Sequence, residues 1–576
     1  MRWQSLFFAL VVTTACEPLR YPLDEPDGGE RDAGSQHDSG PARDAGPTDA
    51  GLFDGGIVDA GEPDGGHRDA GPRDGGPRDA GARDGGSRDA GVEHILTIIK
   101  SGVGDGLVES APAGISCGTT CLASFVEGAT VTLTATPNRF ARFVGWSGAC
   151  SGRQPCTLTL TAPTTVEAMF DVQPQVVAGG AHSCAVSSTG ALRCWGSGSF
   201  GRLGHNNTDN VGDGVGPSIR TAGDVLVGVP VAEVVAGREH TCALTLAGTV
   251  RCWGSGAVGT LGLNSISNVG DGVGPSIQAA GDVPIGGLVR KVSGGTFHSC
   301  ALLTTGAVRC WGWNEHGQLG YGFTQNVGDG IGPSIVAAGD VPIGAPAEDV
   351  CAGYRFSCAV ILGNQLRCWG YGEFGELGQG ATTSIGDGVG PSIIAAGSVN
   401  VGAPVRSVSC GFFHVCAVTT SDAVRCWGLG ANGRLGHDST DNIGLTAGAI
   451  AAAGDVTVGG AVDEVVLGNG HTCARLVDGS ARCWGRGGVG RLGLNATTDV
   501  GDGTTSIQAA GAVPVGSPVH ILSTNTDAVH TCAITQADGV RCWGSGFQGR
   551  LGYGNTDDVG DGTGPSIISA GDVPVW

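Results

Sequence analysis

Two cysteines ten positions apart, the second followed by Trp-Gly, occur together seven times in the C-terminal part of this sequence. The first cysteine of each pair lies 57 to 59 residues after that of the preceding pair. A fixed period of this length indicates a solenoid or a propeller, in which each unit buries its apolar face against its neighbours. Each unit reads as short β segments separated by turns, which favours four-stranded blades. The predicted fold class is all-β, with a seven-bladed β-propeller over residues 173–576.

The two cysteines of each unit are predicted to form a disulfide across a β-hairpin. In the first unit they are symmetric about Thr189, which predicts a three-residue loop that ends in a left-handed residue. This places the cysteines at a non-hydrogen-bonded pair, with Cα atoms about 4.5 Å apart, which a disulfide can bridge. The left-handed positions are Gly190, Gly248, Gly306, Asn364, Asp422, Gly479 and Asp538. The predicted pairs are Cys184–Cys194, Cys242–Cys252, Cys300–Cys310, Cys358–Cys368, Cys416–Cys426, Cys473–Cys483 and Cys532–Cys542.

Two further cysteines and the end of the chain predict how the blades are joined. Cys351 and Cys410 lie seven and six residues before the first cysteine of their units, on neighbouring blades. Adjacent strand positions face opposite sides of a sheet, so we predict a bridge between blades 4 and 5. The first unit lacks the preceding strand that later units have, and we expect Asp572–Trp576 to return and complete blade 1.

The repeated stretches GREHTCALTLAGTVRCWGSGAVGTLG (237–262) and GGTFHSCALLTTGAVRCWGWNEHGQLG (294–320) resemble the regulator of chromosome condensation repeat family. Members of this family form seven-bladed propellers. Their functions include guanine-nucleotide exchange on a small GTPase, chromatin binding and, in a bacterial member, inhibition of β-lactamases. The near-uniform spacing opposes exchange activity, because it leaves no room for a long insertion specific to one blade.

Residues 94–172 are predicted to form a small β domain, because ATVTLTAT alternates with the period of a half-buried strand. The stretch VTLTATP, with FVGWSG after it, resembles the divergent internalin-B-type repeat of bacterial surface proteins, which implies a spacer or adhesion module. Four cysteines of this segment lie close together in two pairs, so two local disulfides are the simplest assignment and a zinc site is the alternative. The predicted pairs are Cys117–Cys121 and Cys150–Cys156.

An export signal is predicted at residues 1–16, MRWQSLFFALVVTTAC. An early positive charge precedes an apolar run that is too short to span a bilayer, and small residues follow. The segment resembles a bacterial lipoprotein signal, which implies lipidation of Cys16, with ordinary cleavage as the alternative. We expect a protein of the bacterial cell envelope, an outer-membrane lipoprotein or cell-surface protein, whose membrane contact is through the lipid anchor only. Disulfides persist in such a compartment.

Residues 17–93 are predicted to be a disordered linker rich in Asp, Ala, Gly and Arg. Aspartate recurs every five residues from Asp44 to Asp89, and apolar side chains are too few to offset the entropy of ordering. A calcium-binding repeat is the alternative, although flexible glycines do not preorganise its carboxylates. The whole chain has a formal net charge of −22 and two lysines, which argues against nucleic acid as a partner.

Repeated histidines, tryptophans and aspartates have structural interpretations. A histidine two positions before the first cysteine predicts a structural hydrogen bond, since a ring of equivalent positions does not converge on one metal ion. The Trp of Cys-Trp-Gly predicts packing between blades, whereas Trp313 is a candidate surface contact. The aspartates of Val-Gly-Asp-Gly predict turns, with calcium as the alternative. The histidines are His182, His240, His298, His414, His471 and His530, with Phe356 in the fourth unit, and the aspartates are Asp213, Asp271, Asp329, Asp387, Asp502 and Asp561.

The sequence contains no recognisable catalytic constellation, so we expect no enzyme and no cofactor. The predicted function is a monomeric, exported, lipid-anchored protein that presents a disulfide-stapled propeller to an unknown protein partner. The alternatives are an enzyme inhibitor of the β-lactamase-inhibitor type and a glycan-binding or glycan-acting propeller. A single site usually breaks the symmetry of a repeat array, and the breaks here are Phe356, Trp313 and the fifth unit, where IGLTAGAI replaces the usual turn.

Overall fold

The computed structural model describes residues 91–576. The predicted signal peptide, the Cys16 lipidation site and almost all of the predicted linker lie outside the described residues. The first strand begins at Glu93, so the predicted boundary at 93 leaves the last linker residue inside a strand. No helix among the described residues combines the length and the apolar character needed to cross a membrane.

Residues 93–172 form a small domain of two sheets, with strand orders β3-β1-β7-β5 and β2-β4-β6. In β4 the alternating sequence buries Val131 and Leu133 and turns the intervening threonines outward. Two disulfides, Cys117–Cys121 and Cys150–Cys156, join neighbouring loops to this core. The strands are β1 (Glu93–Ser101), β2 (Gly106–Ala111), β3 (Leu122–Val126), β4 (Thr130–Pro137), β5 (Ala141–Gly148), β6 (Cys156–Thr159) and β7 (Thr164–Val172).

Seven antiparallel sheets follow, one from each sequence unit, and they confirm the all-β propeller. The strands of blades 1 to 3 are β8 (Gln175–Ala178), β9 (His182–Val186), β10 (Leu192–Gly196), β11 (Val231–Ala236), β12 (His240–Thr245), β13 (Val250–Gly254), β14 (Val289–Gly294), β15 (His298–Leu303) and β16 (Val308–Gly312). Those of blades 4 to 7 are β17 (Ala347–Ala352), β18 (Phe356–Ile361), β19 (Gln365–Gly370), β20 (Val405–Cys410), β21 (His414–Thr419), β22 (Val424–Gly428), β23 (Val462–Leu467), β24 (His471–Leu476), β25 (Ala481–Gly485), β26 (Val519–Ser523), β27 (His530–Thr535) and β28 (Val540–Gly544).

One short helix lies on the outer side of each blade. In blade 1 the hydroxyl of Ser218 accepts the N–H of Thr221 and begins α1, and Ile219 points into the core. The fifth unit has Gly448 at this cap instead of serine, so its helix begins without a side-chain cap. The helices are α1 (Ile219–Ala222), α2 (Ile277–Ala280), α3 (Ile335–Ala338), α4 (Ile393–Ala396), α5 (Ala449–Ala453), α6 (Ile507–Ala510) and α7 (Ile567–Ala570).

The second and third strands of each blade form the predicted hairpin. Cys184 faces Cys194 in the register, and the Cα atoms of the seven pairs are 4.0 to 4.1 Å apart, each pair joined by a disulfide. The predicted left-handed loop position has positive φ in every blade, including the non-glycine residues Asn364, Asp422 and Asp538. The hairpins therefore have the loop geometry expected from the spacing.

Each blade has three strands, so the prediction of four is wrong. The segment expected to supply the fourth, AGDVLVG after blade 1, is held by a single backbone hydrogen bond, from Val225 N–H to Leu192 O at 2.7 Å. Val227 then donates back to Val225 O, and this γ-turn directs the chain out of the ladder. In four of the equivalent segments a proline stands between the two aliphatic residues and removes a further donor.

The prediction that Asp572–Trp576 complete blade 1 is wrong for the same reason. This segment forms no strand, and its Val573 N–H bonds to Val540 O of blade 7. It nevertheless joins the two ends of the array, because Arg193 of blade 1 donates to Val575 O at 2.6 Å. The ring is therefore closed by side-chain hydrogen bonds and by packing between blades 7 and 1, without a shared ladder of strands.

Every seam between blades contains the same tryptophan contact. The Trp of each Cys-Trp-Gly is fully buried, and its Nε1–H donates to a backbone carbonyl of the preceding blade at 2.9 to 3.1 Å. In the closing seam, Trp195 of blade 1 bonds to Arg550 O of blade 7. These contacts agree with the predicted packing role of the tryptophans.

Candidate functional site

The recurrent Val-Gly-Asp-Gly aspartates hold turns. In all six, carboxylate Oδ1 accepts the backbone N–H two residues later, at 2.9 or 3.0 Å, as Asp213 does from Val215. These hydrogen bonds lower the pKa of Asp213 and explain the repeated residue without a cation. Each carboxylate belongs to a different blade. In the described residues, the one group of side chains close enough to share a metal ion is Cys351, Cys358 and Cys410, whose sulfurs are all in disulfides.

Six buried histidines form hydrogen bonds between blades. In each, Nε2 lies 2.7 to 3.0 Å from a hydroxyl of the following blade. The Thr241 hydroxyl donates to Arg202 O, so it accepts the Nε2–H of His182. The pairs are His182–Thr241, His240–Ser299, His298–Ser357, His414–Thr472, His471–Thr531 and His530–Ser183.

The same burial keeps these imidazoles neutral. Desolvation lowers the pKa of all six, to about 4 for His240 and about 3 for His298. Gly237 lies three residues before His240 and close to its ring. A glycine is required there, because a Cβ at Gly237 would lie 2.2 Å from His240 Cε1. The predicted structural role of the histidines is therefore supported at each of these seams.

The seam between blades 4 and 5 is built differently. Phe356 replaces the histidine, and Val415 replaces the hydroxyl residue that would receive its hydrogen bond, so an apolar pair stands in place of a polar pair. The seam also contains the Cys351–Cys410 disulfide between β17 and β20. Glu376 occupies a position that is arginine in four other blades, and its burial raises its pKa to about 8.

An aromatic patch covers one end of blades 3 to 5, next to this seam. It is formed by the loops between the first and second strands of these blades and by the turns that follow Cys-Trp-Gly in blades 3 and 4. Every member is half-buried, and the rings contact one another in a continuous network. The aromatic patch consists of Phe297, Trp313, His316, Tyr354, Arg355, Tyr371, Phe374, Phe412 and Phe413.

Ring geometry fixes the shape of the aromatic patch. Tyr354 stacks on Phe412 with centroids 4.2 Å apart, and Phe374 meets Phe413 edge-on at 4.9 Å. Such contacts favour one arrangement of the side chains beyond the area they bury. The patch is therefore an ordered surface of aromatic rings that still face solvent in part.

Arg355 lies at the centre of the aromatic patch. Its guanidinium carbon is 5.2 Å from the Trp313 ring centroid, 4.6 Å from that of Tyr354 and 5.8 Å from that of Tyr371. These are cation–π distances. Burial and the positive charge of Arg355 together lower the pKa of His316, so this histidine remains neutral at pH 7.

The turns that carry part of the patch differ in backbone from those of the other blades. Five blades have a 3₁₀ turn with a left-handed non-glycine residue, such as Phe200 with φ of 61°. The equivalent residues of blades 3 and 4 are His316 and Phe374, and neither has positive φ. The 3₁₀ turns are Ser199–Gly201, Ala257–Gly259, Ala431–Gly433, Gly488–Gly490 and Phe547–Gly549.

A loop of blade 7 closes the central channel at the end that carries the aromatic patch. We call residues 524–528 the channel plug. The amide of Asn525 donates to the carbonyls of Ala236 and Gly294, in blades 2 and 3. Thr526 reaches towards Ala352 O and Cys410 O of blades 4 and 5, at 3.4 and 3.5 Å. The plug thus joins blade 7 to four other blades.

The channel below the plug encloses about 370 Å³. Its polar side chains serve the ring itself. Lys291 pairs with Asp349 of the next blade, whose second carboxylate oxygen accepts Val408 N–H of the blade after that. Glu464 accepts Leu522 N–H in the same way. These groups hold the first strands together, so the channel is a weaker candidate site than the aromatic patch.

The sequence matches the Regulator of chromosome condensation (RCC1) repeat at residues 175–202, 231–260, 289–318 and 405–434, and a second version of that repeat at 189–244. The matched blades are 1, 2, 3 and 5, and they identify an RCC1-repeat propeller. Residues 110–174 match the Divergent InlB B-repeat domain, which places this domain before the RCC1 propeller.

Two curated proteins are similar to this chain over about two thirds of its length. The chain is 29% identical over 399 residues to the Ultraviolet-B receptor UVR8 of Arabidopsis thaliana, across 69% of this chain and 81% of that protein. It is 27% identical to the human E3 ubiquitin-protein ligase HERC2 across 64% of this chain. The match covers 7% of HERC2, so the chain spans a small part of that relative.

Solved structures that are similar to this chain are more distant in sequence. Yeast RCC1 (Prp20), solved with Kap60 bound, is 16% identical, with a TM-score of 0.46 over 61% of this chain and 78% of that chain. Human WBSCR16 is 19% identical, with a TM-score of 0.46 over 67% of this chain and 92% of that chain.

Proposed function

We propose that this protein is an exported, lipid-anchored binding protein whose RCC1 propeller presents the aromatic patch to a protein partner. One observation supports this more than any other. The separate departures from the repeat, among them Trp313, Phe356 and the fifth unit, lie together at blades 3 to 5. A ring built for stability alone has no reason to concentrate its exceptions in one region.

The composition of the aromatic patch supports a protein partner. Trp, Tyr and Arg are the residues most enriched in the energetic centres of protein interfaces. Aromatic residues make up 5% of the whole chain, yet the patch combines Trp313, Tyr354, Tyr371 and four phenylalanines. Rings of this kind supply large contact areas at a small cost in side-chain entropy.

Replacing Trp313 by Ala is expected to weaken partner binding about 30-fold or more, since central aromatic residues of interfaces contribute about 2 kcal/mol or more. The measurement is surface plasmon resonance, with the oxidised full-length protein and a partner found by crosslinking in the native envelope. Phe547→Ala is the matched control, because Phe547 is 61% exposed on the equivalent turn of blade 7, outside the patch.

The two variants separate the possible results. Loss of binding in Trp313→Ala with normal binding in Phe547→Ala supports the aromatic patch as the interface. Equal loss in both variants, or in neither, contradicts it. Binding to glycans that is insensitive to Trp313→Ala, with no protein partner, would replace a protein-binding role with a glycan-binding role.

Ten disulfides among the described residues support export, because such bonds persist in oxidising compartments. Lipid anchoring is tested with radiolabelled palmitate in a bacterial host that processes lipoproteins. We expect the wild type to incorporate label into the membrane fraction and Cys16→Ser to incorporate none. Label in both proteins, or soluble wild-type protein without label, would contradict the anchor.

A further inference from the structure

We propose that Arg355 is a carboxylate-binding residue, and that the partner inserts an Asp or Glu side chain among Trp313, Tyr354 and Tyr371. This inference rests on the proposed function and names the chemistry of the segment that the aromatic patch recognises. The partner segment is an acidic peptide with apolar neighbours.

The donors of Arg355 are largely unused within the protein. Its guanidinium donates one side-chain hydrogen bond, from Nη2 to the Tyr354 hydroxyl at 3.0 Å. Nε is buried and has no partner among the described residues, so the two terminal Nη groups are the donors for a carboxylate. No carboxylate of residues 91–576 lies within ion-pair distance of it. A guanidinium fork matches the geometry of a carboxylate and can form two parallel hydrogen bonds with it.

Other arginines of the propeller have structural roles, and their guanidinium groups have hydrogen-bond or ion-pair partners within the protein. The arginine of Arg-Cys-Trp-Gly pairs with an aspartate at 2.7 to 2.8 Å in five blades. Arg434, Arg491 and Arg550 are buried and donate to backbone carbonyls. Arg355 has neither kind of partner, although it is held in place by three rings.

The fold does not require a basic residue at the position of Arg355. The equivalent residues of the other six blades are Ala181, Glu239, Phe297, Phe413, Gly470 and Val529. Six residue types occur at this position in the seven blades, so the loop accepts side chains of very different size and charge. A cation that the scaffold does not need, set among rings at the surface, is typical of a recognition residue.

Charges around the aromatic patch narrow the ligand to a single carboxylate. Glu315 and Glu373 are exposed on the two turns that carry Trp313 and Tyr371. The negative charges of these two glutamates repel a polyanion such as nucleic acid, and the net charge of −22 adds to the repulsion. A peptide with one carboxylate and apolar flanking residues avoids this repulsion and brings that carboxylate to Arg355.

The test uses a phage-displayed library of random dodecapeptides, selected on the oxidised full-length protein and counter-selected on Trp313→Ala. Each enriched peptide is then titrated by calorimetry beside an analogue in which Asp or Glu is replaced by Asn or Gln. We expect one carboxylate per peptide whose replacement weakens binding to the wild type at least tenfold. The same replacement is expected to change nothing in Arg355→Gln.

A second variant, Arg355→Lys, keeps the positive charge but loses the two parallel donors of the guanidinium. We expect the difference in affinity between each peptide and its amide analogue to lie between the values for the wild type and for Arg355→Gln. Near-ultraviolet circular dichroism that matches the wild type shows that each variant is folded. Peptides that depend on Trp313 but bind equally well as amides would overturn the carboxylate site and leave the binding platform intact. A library that yields no peptide dependent on Trp313 would overturn both proposals, and enrichment of basic peptides would assign recognition to the glutamates.

Discussion

Lowering the pH from 7 to 5 is expected to remove the contribution of six buried neutral histidines to the free energy of unfolding, which is about 12 kcal/mol because each contributes about 2 kcal/mol. Burial lowers the pKa of these histidines in the folded protein, to about 4 for His240 and about 3 for His471. The unfolded chain binds protons near pH 6.5 and the folded ring does not. The stabilisation is therefore present above pH 6.5 and is lost as the pH falls below it, which urea titrations of the oxidised protein would measure.

The chain supplies its own control for this pH dependence. The variant His298→Phe with Ser357→Val copies the Phe356–Val415 pair into the seam between blades 3 and 4. We expect stability near the wild-type value at pH 7 and a pH dependence smaller by about 1.4 kcal/mol per pH unit, which is one proton fewer. Ser357→Val alone should cost about 1 to 3 kcal/mol at pH 7, because the Nε2–H of His298 loses its acceptor. An unchanged slope in the double variant would show that the protons are taken up elsewhere.

Removing the Cys351–Cys410 disulfide is expected to destabilise the propeller by about 4 kcal/mol, more than removal of one hairpin disulfide at about 3 kcal/mol. The difference comes from the sequence separation of the two cysteines, which is 59 against 10. The larger loop loses more entropy when it is closed in the unfolded chain. The seam also lacks the histidine–hydroxyl hydrogen bond of the other seams, and the disulfide joins blades 4 and 5 covalently.

The test compares two double variants. The first, Cys351→Ala with Cys410→Ala, removes the disulfide between blades 4 and 5. The second, Cys242→Ala with Cys252→Ala, removes a hairpin disulfide from blade 2. The readout is the urea midpoint at pH 7, under oxidising conditions. A larger shift for the hairpin variant would mean that unfolding is limited within blades and that the seam contributes little.

The repeat period and the cysteine spacing allowed much of the propeller to be predicted. Strand pairing in a hairpin is local, so symmetry about Thr189 defined the register of Cys184 and Cys194, and left-handed loop positions followed from residue type. The number of strands was not predictable in this way. The Val227–Val225 γ-turn decides whether a segment joins the ladder, and the pattern of aliphatic residues is the same in either case.

The candidate site was only partly predictable, because it depends on which loops the ring brings together. Trp313 and Phe356 were recognisable as exceptions within single units. Their proximity to Tyr371 and Phe412, from other turns and other blades, is a property of the closed ring. Alignment of the seven units would have revealed the aromatic excess in units 3 to 5, and the replacement of histidine and hydroxyl together at Phe356 and Val415.

The channel plug has a consequence for the order in which the molecule can be made. Synthesis proceeds from the N-terminus, and each stapled hairpin needs only its own residues, so early blades can acquire their disulfides while the rest of the chain is still absent. Residues 524–528 come from the last blade, yet they contact blades 2 to 5. The circular arrangement of the earlier blades is therefore completed by the seventh blade, and a product truncated before residue 524 would be a row of oxidised hairpins with an unclosed end.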